Sequence, residues 1–318
     1  MNDGANTRYA AGVDFGGTSV KIALVNSTGQ LLRELRIVTK DLPSREAWMD
    51  HVAAAIREIQ GEHTLSGVGV GVPGFVDHER GYIYDLPNVP GWQGVHLSEM
   101  MESRLNLRVE VDNDVNAMAL GECTFGAGRT YQHAIFLTLG TGVGGGLLIN
   151  NRLYRGAFSM AGEVGHISID RNGIPSAQGK GGVEQYVGNA RFVAYARSLL
   201  ESGRTSILDD LCGGDRAQLS PKLIKEAAVQ GDELGLELLH YYADCLATAM
   251  ASMTYMIQPQ AFIIGGGVAE DAALLFSLIR EHLNQRLHPQ FSSRIEIKQA
   301  ELGSEAGMIG CATLAWMD

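Results

Sequence analysis

Two glycine-rich turns of one design constrain this chain more than any other feature: Asp14-Phe15-Gly16-Gly17-Thr18-Ser19-Val20-Lys21 and Leu139-Gly140-Thr141-Gly142-Val143-Gly144-Gly145-Gly146, about 125 residues apart. Each joins two apolar, β-like runs. Ala10 to Phe15 enters the first turn and Val20 to Val25 leaves it, while Ala134 to Leu139 enters the second and Gly144 to Ile149 leaves it. The pattern is a duplicated hairpin. Glycine lets the backbone approach a ligand closely and aim successive N–H groups at one point, so such turns make anion sites without a basic side chain. Either turn alone is equally a plain hairpin without a ligand. Taken together, with Asp14 and Lys21 bracketing the first, they favour a nucleotide whose polyphosphate is held by two facing turns.

The other bulk properties narrow the partners. With 318 residues, 45 % of them hydrophobic, and no long apolar run, the chain is expected to be a cytoplasmic protein of two ordinary domains, without membrane span or signal peptide. A formal net charge of -11 argues against a nucleic-acid surface and leaves small molecules as the expected partners. Cys123, Cys212, Cys245 and Cys311 lack metal-ligand spacing and read as reduced, buried thiols.

Strand-like runs dominate the first half and helical periodicity the second, which reads as mixed α/β. A third strand is expected near Gln30 to Val38, a helix over Ser44 to Ile59, and a buried strand over Val68 to Val72 that stops at Pro73-Gly74. Leu97 to Leu105 reads as a helix, Arg108 to Asp112 as a strand, and Asp114 to Phe125 as a helix beginning abruptly at that strand's end. Beyond the second hairpin come a polar loop over Asn172 to Gly182 and a helix over Glu184 to Leu200. A helix capped by Ser220-Pro221 follows, then a long amphipathic helix over Asp232 to Ile257. A strand over Gln260 to Ile264 runs into Gly265-Gly266-Gly267, with a helix to about Leu287, a strand over Ile295 to Lys298 and a closing helix from Ser304 to Trp316.

Seven short motifs now stand in order: the first turn, Gly71-Val72-Pro73-Gly74, Leu86-Pro87-Asn88-Val89-Pro90-Gly91-Trp92, Asn113-Asp114-Val115-Asn116, Leu139-Gly140-Thr141-Gly142, Glu163-Val164-Gly165-His166 and Gly265-Gly266-Gly267. Over nearly the whole chain this series resembles the ROK family of sugar kinases and repressors. The resemblance implies an actin-like ATPase (ribonuclease H-like) fold, α/β, with duplicated sheet domains forming two lobes around a central cleft. The expected lobes are residues 1–125 and 126–318, with the C-terminal helix free to return to the first. It also implies a homodimer and ATP-dependent transfer of the γ-phosphoryl group to the 6-hydroxyl of a hexose, glucose first. N-acetylmannosamine, N-acetylglucosamine, fructose, mannose and allose stay open as acceptors, and polyphosphate as donor.

The residues support that chemistry. Phosphoryl transfer to an alcohol needs phosphate charge neutralised, the hydroxyl held in line, and one group to take its proton. Asp114, at a helix amino terminus, suits the proton acceptor, although Asn113 or Asp114 as a plain helix cap fits the composition equally well. The family match makes Asp114 catalytic. It likewise implies sugar contacts from Gly74, Asn88, Asn113, Asp114, Glu163, His166 and Glu184, a mixture of donors and acceptors suited to a polyhydroxylated ring. Phosphate contacts are expected from Gly16, Gly17, Thr18, Lys21, Gly140, Thr141 and Gly142, and adenosine contacts from Gly265, Gly266 and Gly267. Asp14 is expected to orient Mg²⁺, directly or through water.

One departure from the family is visible. Many relatives carry three cysteines after Glu-x-Gly-His that complete a zinc site with the histidine. Here the matching positions are Pro175, Ala177 and Gly182, so no structural zinc is expected. Two rival functions are a repressor and a non-catalytic sugar-binding regulator. Nine residues without helical pattern precede Ala10, so the helix-turn-helix domain of a repressor is not expected, and a non-catalytic regulator would be expected to have lost Asp14, Lys21 or Asp114, which are all present.

Overall fold

The computed structural model describes residues 7–39, 42, 44–87 and 89–317. The chain begins with an antiparallel meander of β1 (Tyr9–Phe15), β2 (Ser19–Asn26) and β3 (Leu31–Val38), followed by α1 (Arg45–Gln60) and β4 (Leu65–Val72). Three short strands, β5 (Phe75–Asp77), β6 (Tyr82–Asp85) and β7 (Val95–His96), precede α2 (Leu97–Leu105), β8 (Val109–Asn113) and α3 (Asp114–Thr124). A second meander follows: β9 (Ala134–Leu139), β10 (Val143–Ile149) and β11 (Arg152–Tyr154). Then come β12 (Pro175–Ser176), β13 (Gly179–Lys180), α4 (Glu184–Val187), α5 (Asn189–Glu201), α6 (Leu208–Leu211), α7 (Pro221–Val229) and α8 (Glu233–Ile257). The chain closes with β14 (Ala261–Gly265), α9 (Ala273–Arg286), α10 (Pro289–Ser292), β15 (Glu296–Gln299) and α11 (Ala306–Leu314).

Repetition in the sequence becomes repetition of topology. The first five-stranded sheet has the order β3-β2-β1-β4-β8, and the second has β11-β10-β9-β14-β15. In the first, β1 and β2 are antiparallel, with Asp14 opposite Lys21, while β4 pairs in parallel with both β1 and β8. In the second, β14 pairs in parallel with β9 and β15. Parallel strands covered on both faces should read as nearly unbroken apolar runs, and Val68, Val70 and Val72 of β4 are fully buried.

The chain divides into two compact units, residues 1–132, 146–162 and 300–318, and residues 133–145 and 163–299. In the first unit, α1 starts where Ser44 accepts the Ala47 N–H at 3.1 Å and buries Trp48, Met49, Val52, Ala53, Ile56 and Ile59. Every residue of α11 is buried. It can lie flush on the first sheet because a Cβ on Gly12 would overlap the Met308 carbonyl oxygen, and one on Gly69 would overlap that of Cys311. Glycine on α11 repeats the device, since a Cβ on Gly310 would overlap the Ala117 carbonyl oxygen of α3. The four cysteines are unpaired, and burial pushes the thiols of Cys123 and Cys245 up to about 12.

Four local features differ from the sequence reading. The helix expected over Glu184 to Leu200 breaks at Gly188, which is extended at φ −59, ψ 138. The helix after Gly267 begins only at Ala273, because Gly266 (φ +87) and Asp271 (φ +47) take left-handed backbone. The loop Asn172 to Gly182 contains the small β12–β13 hairpin. The sheet of β5, β6 and β7 is too short-stranded to show alternation.

Candidate functional site

In the first unit the turn after β1 is closed by Gly16 N–H to Ser19 O at 3.0 Å and by Thr39 Oγ1 to Gly16 O at 3.0 Å. Gly17 and Thr18 are exposed at its tip. Asp14 lies one residue inside it, where burial raises its carboxyl above the ordinary aspartate value against the pull of Lys21. Room for that carboxylate comes from Gly307, whose Cβ would stand 2.8 Å from Asp14 Oδ2. Lys21 donates to Ser304 O at 3.5 Å.

Aromatic packing ties this turn to the segment that follows β6. Trp92 sits 5.0 Å from Phe15 and 5.0 Å from Trp48, ring centre to centre, and Phe15 sits 4.6 Å from Trp48. Asn88, expected as a sugar contact on the same segment, lies outside the described residues.

At the start of α3 the cap and Asp114 are separate residues. Asn113 is the N-cap: its Oδ1 accepts from Val115 N–H at 2.9 Å and Asn116 N–H at 3.2 Å. Its Nδ2 donates to Gly74 O at 3.1 Å, which joins two expected sugar residues and leaves one amide hydrogen for a ligand. Asp114 is the first helical residue and accepts from Val115 N–H at 2.9 Å. This places its carboxylate at the positive end of the helix dipole.

In the second unit the turn after β9 is closed by Gly140 N–H to Gly142 O at 3.0 Å. Glu184, the first residue of α4, holds it from behind, with Oε2 accepting from Val143 N–H at 2.9 Å. Gly142 and Gly165 admit that carboxylate; a Cβ on Gly142 would overlap Glu184 Oε2. Removing this acceptor leaves a backbone N–H without its charged partner, a loss of about 1.5–3 kcal/mol. Glu184→Ala is therefore expected to raise the ATP KM about tenfold or more, and Glu184→Gln, which keeps an acceptor, only a few-fold. Steady-state kinetics with varied ATP checks this; a rise in hexose KM alone would assign Glu184 to the sugar only.

Glu163 and His166 stand at the ends of a short 3₁₀ turn, with Nε2 3.8 Å from Glu163 Oε2. Partial burial raises the Glu163 carboxyl, His166 pulls it down and Glu184 adds to the rise. The loop beyond is held by hydrogen bonds: Ile169 N–H to Gly181 O at 2.8 Å, Gly181 N–H to Ile174 O at 2.9 Å, and Ile174 N–H to the Tyr186 hydroxyl at 3.1 Å. Zinc does not fit here. Pro175, Ala177 and Gly182 offer no side-chain donor, and no cluster of three or more His, Cys, Asp or Glu able to hold a metal occurs among the described residues.

Gly266 reaches the second turn from the other side, since its Cβ would overlap Leu139 O, and Gly267 opens onto empty space. Next to Gly267 lies a pocket of about 500 Å³, lined also by Lys222, Lys225, Glu226, Gln230 and Asp271. Lys225 donates to the carbonyls of Val268 at 3.0 Å and Glu270 at 2.6 Å, fastening α7 to the glycine segment. Burial lowers its pKa, opposed by Glu270 and Asp271. Sequence reasoning missed Lys225, which looks like any exposed lysine on an amphipathic helix until its carbonyl partners are seen.

Two parallel-and-meander sheets of equal order, each carrying a glycine turn at the end of its first strand, define the duplicated actin-like ATPase fold. The ROK family model matches residues 10–317, and the chain belongs to the ROK family. It is 34 % identical to a glucokinase of Streptomyces coelicolor over 308 residues, 96 % of each chain, and 32 % identical to a glucokinase of Thermotoga maritima over 304 residues, 95 % of this chain and 96 % of that one. Among solved structures it is similar to a ROK family glucokinase from Streptomyces griseus in complex with glucose and AMPPNP, with a TM-score of 0.81 and 34 % identity over 97 % of this chain and 99 % of that one. No helix among the described residues is long and apolar enough to cross a membrane.

Proposed function

We propose that this chain is an ATP-dependent hexose kinase that phosphorylates the 6-hydroxyl of glucose. The observation that carries the reading is Asp114 in the first turn of α3, beside a cap residue bonded to Gly74 O, in a chain 34 % identical to glucokinases. Asp114 accepts the proton from the attacking hydroxyl while that oxygen bonds to the γ-phosphorus and the bond to the ADP oxygen breaks. A carboxylate suffices as base because little proton transfer is needed early in a loose transition state.

Asn113, through its remaining amide hydrogen, Gly74, Asn88, Glu163, His166 and Glu184 are the residues assigned to the sugar's hydroxyls. Gly16, Gly17, Thr18 and Lys21, and in the second unit Gly140, Thr141 and Gly142, supply donors to the phosphates. Gly265, Gly266 and Gly267 border the adenosine, and the neighbouring pocket has a volume suited to a nucleoside. The half-buried Asp14 carboxylate offers the hard oxygen that Mg²⁺ requires, and the ion when bound would neutralise phosphate charge. Work as a homodimer in the cytoplasm completes the reading, which four unpaired cysteines suit.

Purified protein with ATP and Mg²⁺ should give its highest kcat/KM with glucose among glucose, mannose, fructose, allose, N-acetylglucosamine and N-acetylmannosamine. Binding of these sugars with no phosphorylated product would make the chain a regulator and end the kinase reading.

A further inference from the structure

Beneath the first turn of α3 lies a buried ion pair that the chemistry above does not use. Asp112, on β8 two residues before Asp114, is 1 % exposed. Its Oδ2 accepts from Arg155 Nε at 2.7 Å, and its Oδ1 accepts from the Asn113 N–H at 2.8 Å and from Asn116 Nδ2 at 3.0 Å. One carboxylate thus grips both the backbone of the cap residue and a side chain inside the helix. His78 flanks it, with Nδ1 bonded to Val111 O at 2.9 Å and 3.8 Å from Asp112 Oδ2.

This arrangement is costly for stability alone. Arg155 Nη2 and Asn116 Oδ1 are buried without hydrogen-bond partners, and a buried ion pair is commonly no more stabilising than apolar side chains of its volume. What the pair does provide is a fixed carboxylate. Arg155 prevents Asp112 from rotating, Asp112 holds the Asn113 N–H, and the peptide so held leads directly into Asp114. Arg155 is itself fixed at the base of a loop closed by Ala161 N–H to Arg155 O at 2.9 Å.

We propose that Arg155 is a positioning residue for phosphoryl transfer, acting through Asp112 to hold the Asn113–Asp114 peptide and the first turn of α3 in the reactive geometry. The proposal rests on Asp114 being the base. Its effect belongs in kcat, because the Arg155 guanidinium is spent on Asp112 and a displacement of the base by about 1 Å can cost up to 10²-fold.

The test compares Arg155→Met, Arg155→Ala and Asp114→Asn in steady-state assays with glucose and ATP. Arg155→Met should lower kcat roughly 10- to 100-fold with both KM values within about threefold of the parent. Guanidinium ion added to Arg155→Ala should restore part of kcat, and should do nothing for Asp114→Asn. If Arg155→Met does not fold, the double variant Asp112→Asn/Arg155→Met, which buries no unpaired charge, is read for the same split of kcat against KM. A parental kcat in the folded variant, a loss confined to KM, or no recovery with guanidinium overturns the proposal. When Asp114→Asn is inactive, such a result removes the positioning role alone; an active Asp114→Asn removes the base assignment itself.

Discussion

Asp114→Asn is expected to reduce turnover by about 10²- to 10⁴-fold while glucose and ATP still bind. The amide keeps the size of the carboxylate and can still accept the Val115 N–H at the 2.9 Å position, so the start of α3 should survive the change. Helix capping is independently secured by Asn113, whose Oδ1 takes two backbone N–H groups. Only the ability to take a proton is lost. Isothermal titration with glucose together with single-turnover rates separates the two effects, and wild-type turnover at saturating substrates would show that Asp114 is only part of the helix start.

The largest expected effect on stability comes from one added methyl group. Gly69→Ala places a Cβ into the Cys311 carbonyl oxygen, 2.7 Å from the Cys311 carbonyl carbon and 3.1 Å from Leu314 Cβ, so the backbone of α11 has to lift off the sheet. Overpacking against backbone lies at the upper end of the usual range, about 3 kcal/mol, which corresponds to a melting temperature lower by roughly 6 to 12 °C. Gly17→Ala makes the same chemical change where nothing lies within 4 Å, and its melting temperature should match the parent's. Equal melting of the two variants would mean that α11 does not need the close approach.

The sequence makes the duplicated meanders legible, because apolar runs flanking glycine turns have few other structures available; β9 spans Ala134–Leu139, as the apolar run alone predicts, and α2 spans Leu97–Leu105. Gly188 shows the limit. A single glycine does not break helical periodicity, and only the folded structure shows that a Cβ here would stand 2.8 Å from Glu184 O and 3.1 Å from Thr141 O. Among the residues named from motifs, Asn113 ends β8 while Asp114 and Glu184 begin α3 and α4. Asp112, Arg155 and Lys225 escaped because their partners lie at the far end of long sequence separations, Arg155 being 43 residues from Asp112 and Lys225 being 45 from Glu270. Nothing in a local pattern distinguishes such cations from solvated ones.

The burial of α11 against β1, β4 and α3 also sets a timetable for synthesis. The first sheet leaves the ribosome well before the helix that covers its glycines at 12 and 69, which is made only after all of residues 133–299. At bacterial or eukaryotic elongation rates of about 5–20 residues per second, the interval between residues 132 and 306 lasts roughly ten to thirty seconds. Throughout it the nascent first unit lacks the helix that covers this apolar face, a surface for chaperones to hold, while residues 163–299 can fold in the meantime. Synthesis of α11, rather than emergence of the first sheet, is then the event that completes the unit carrying Asp114.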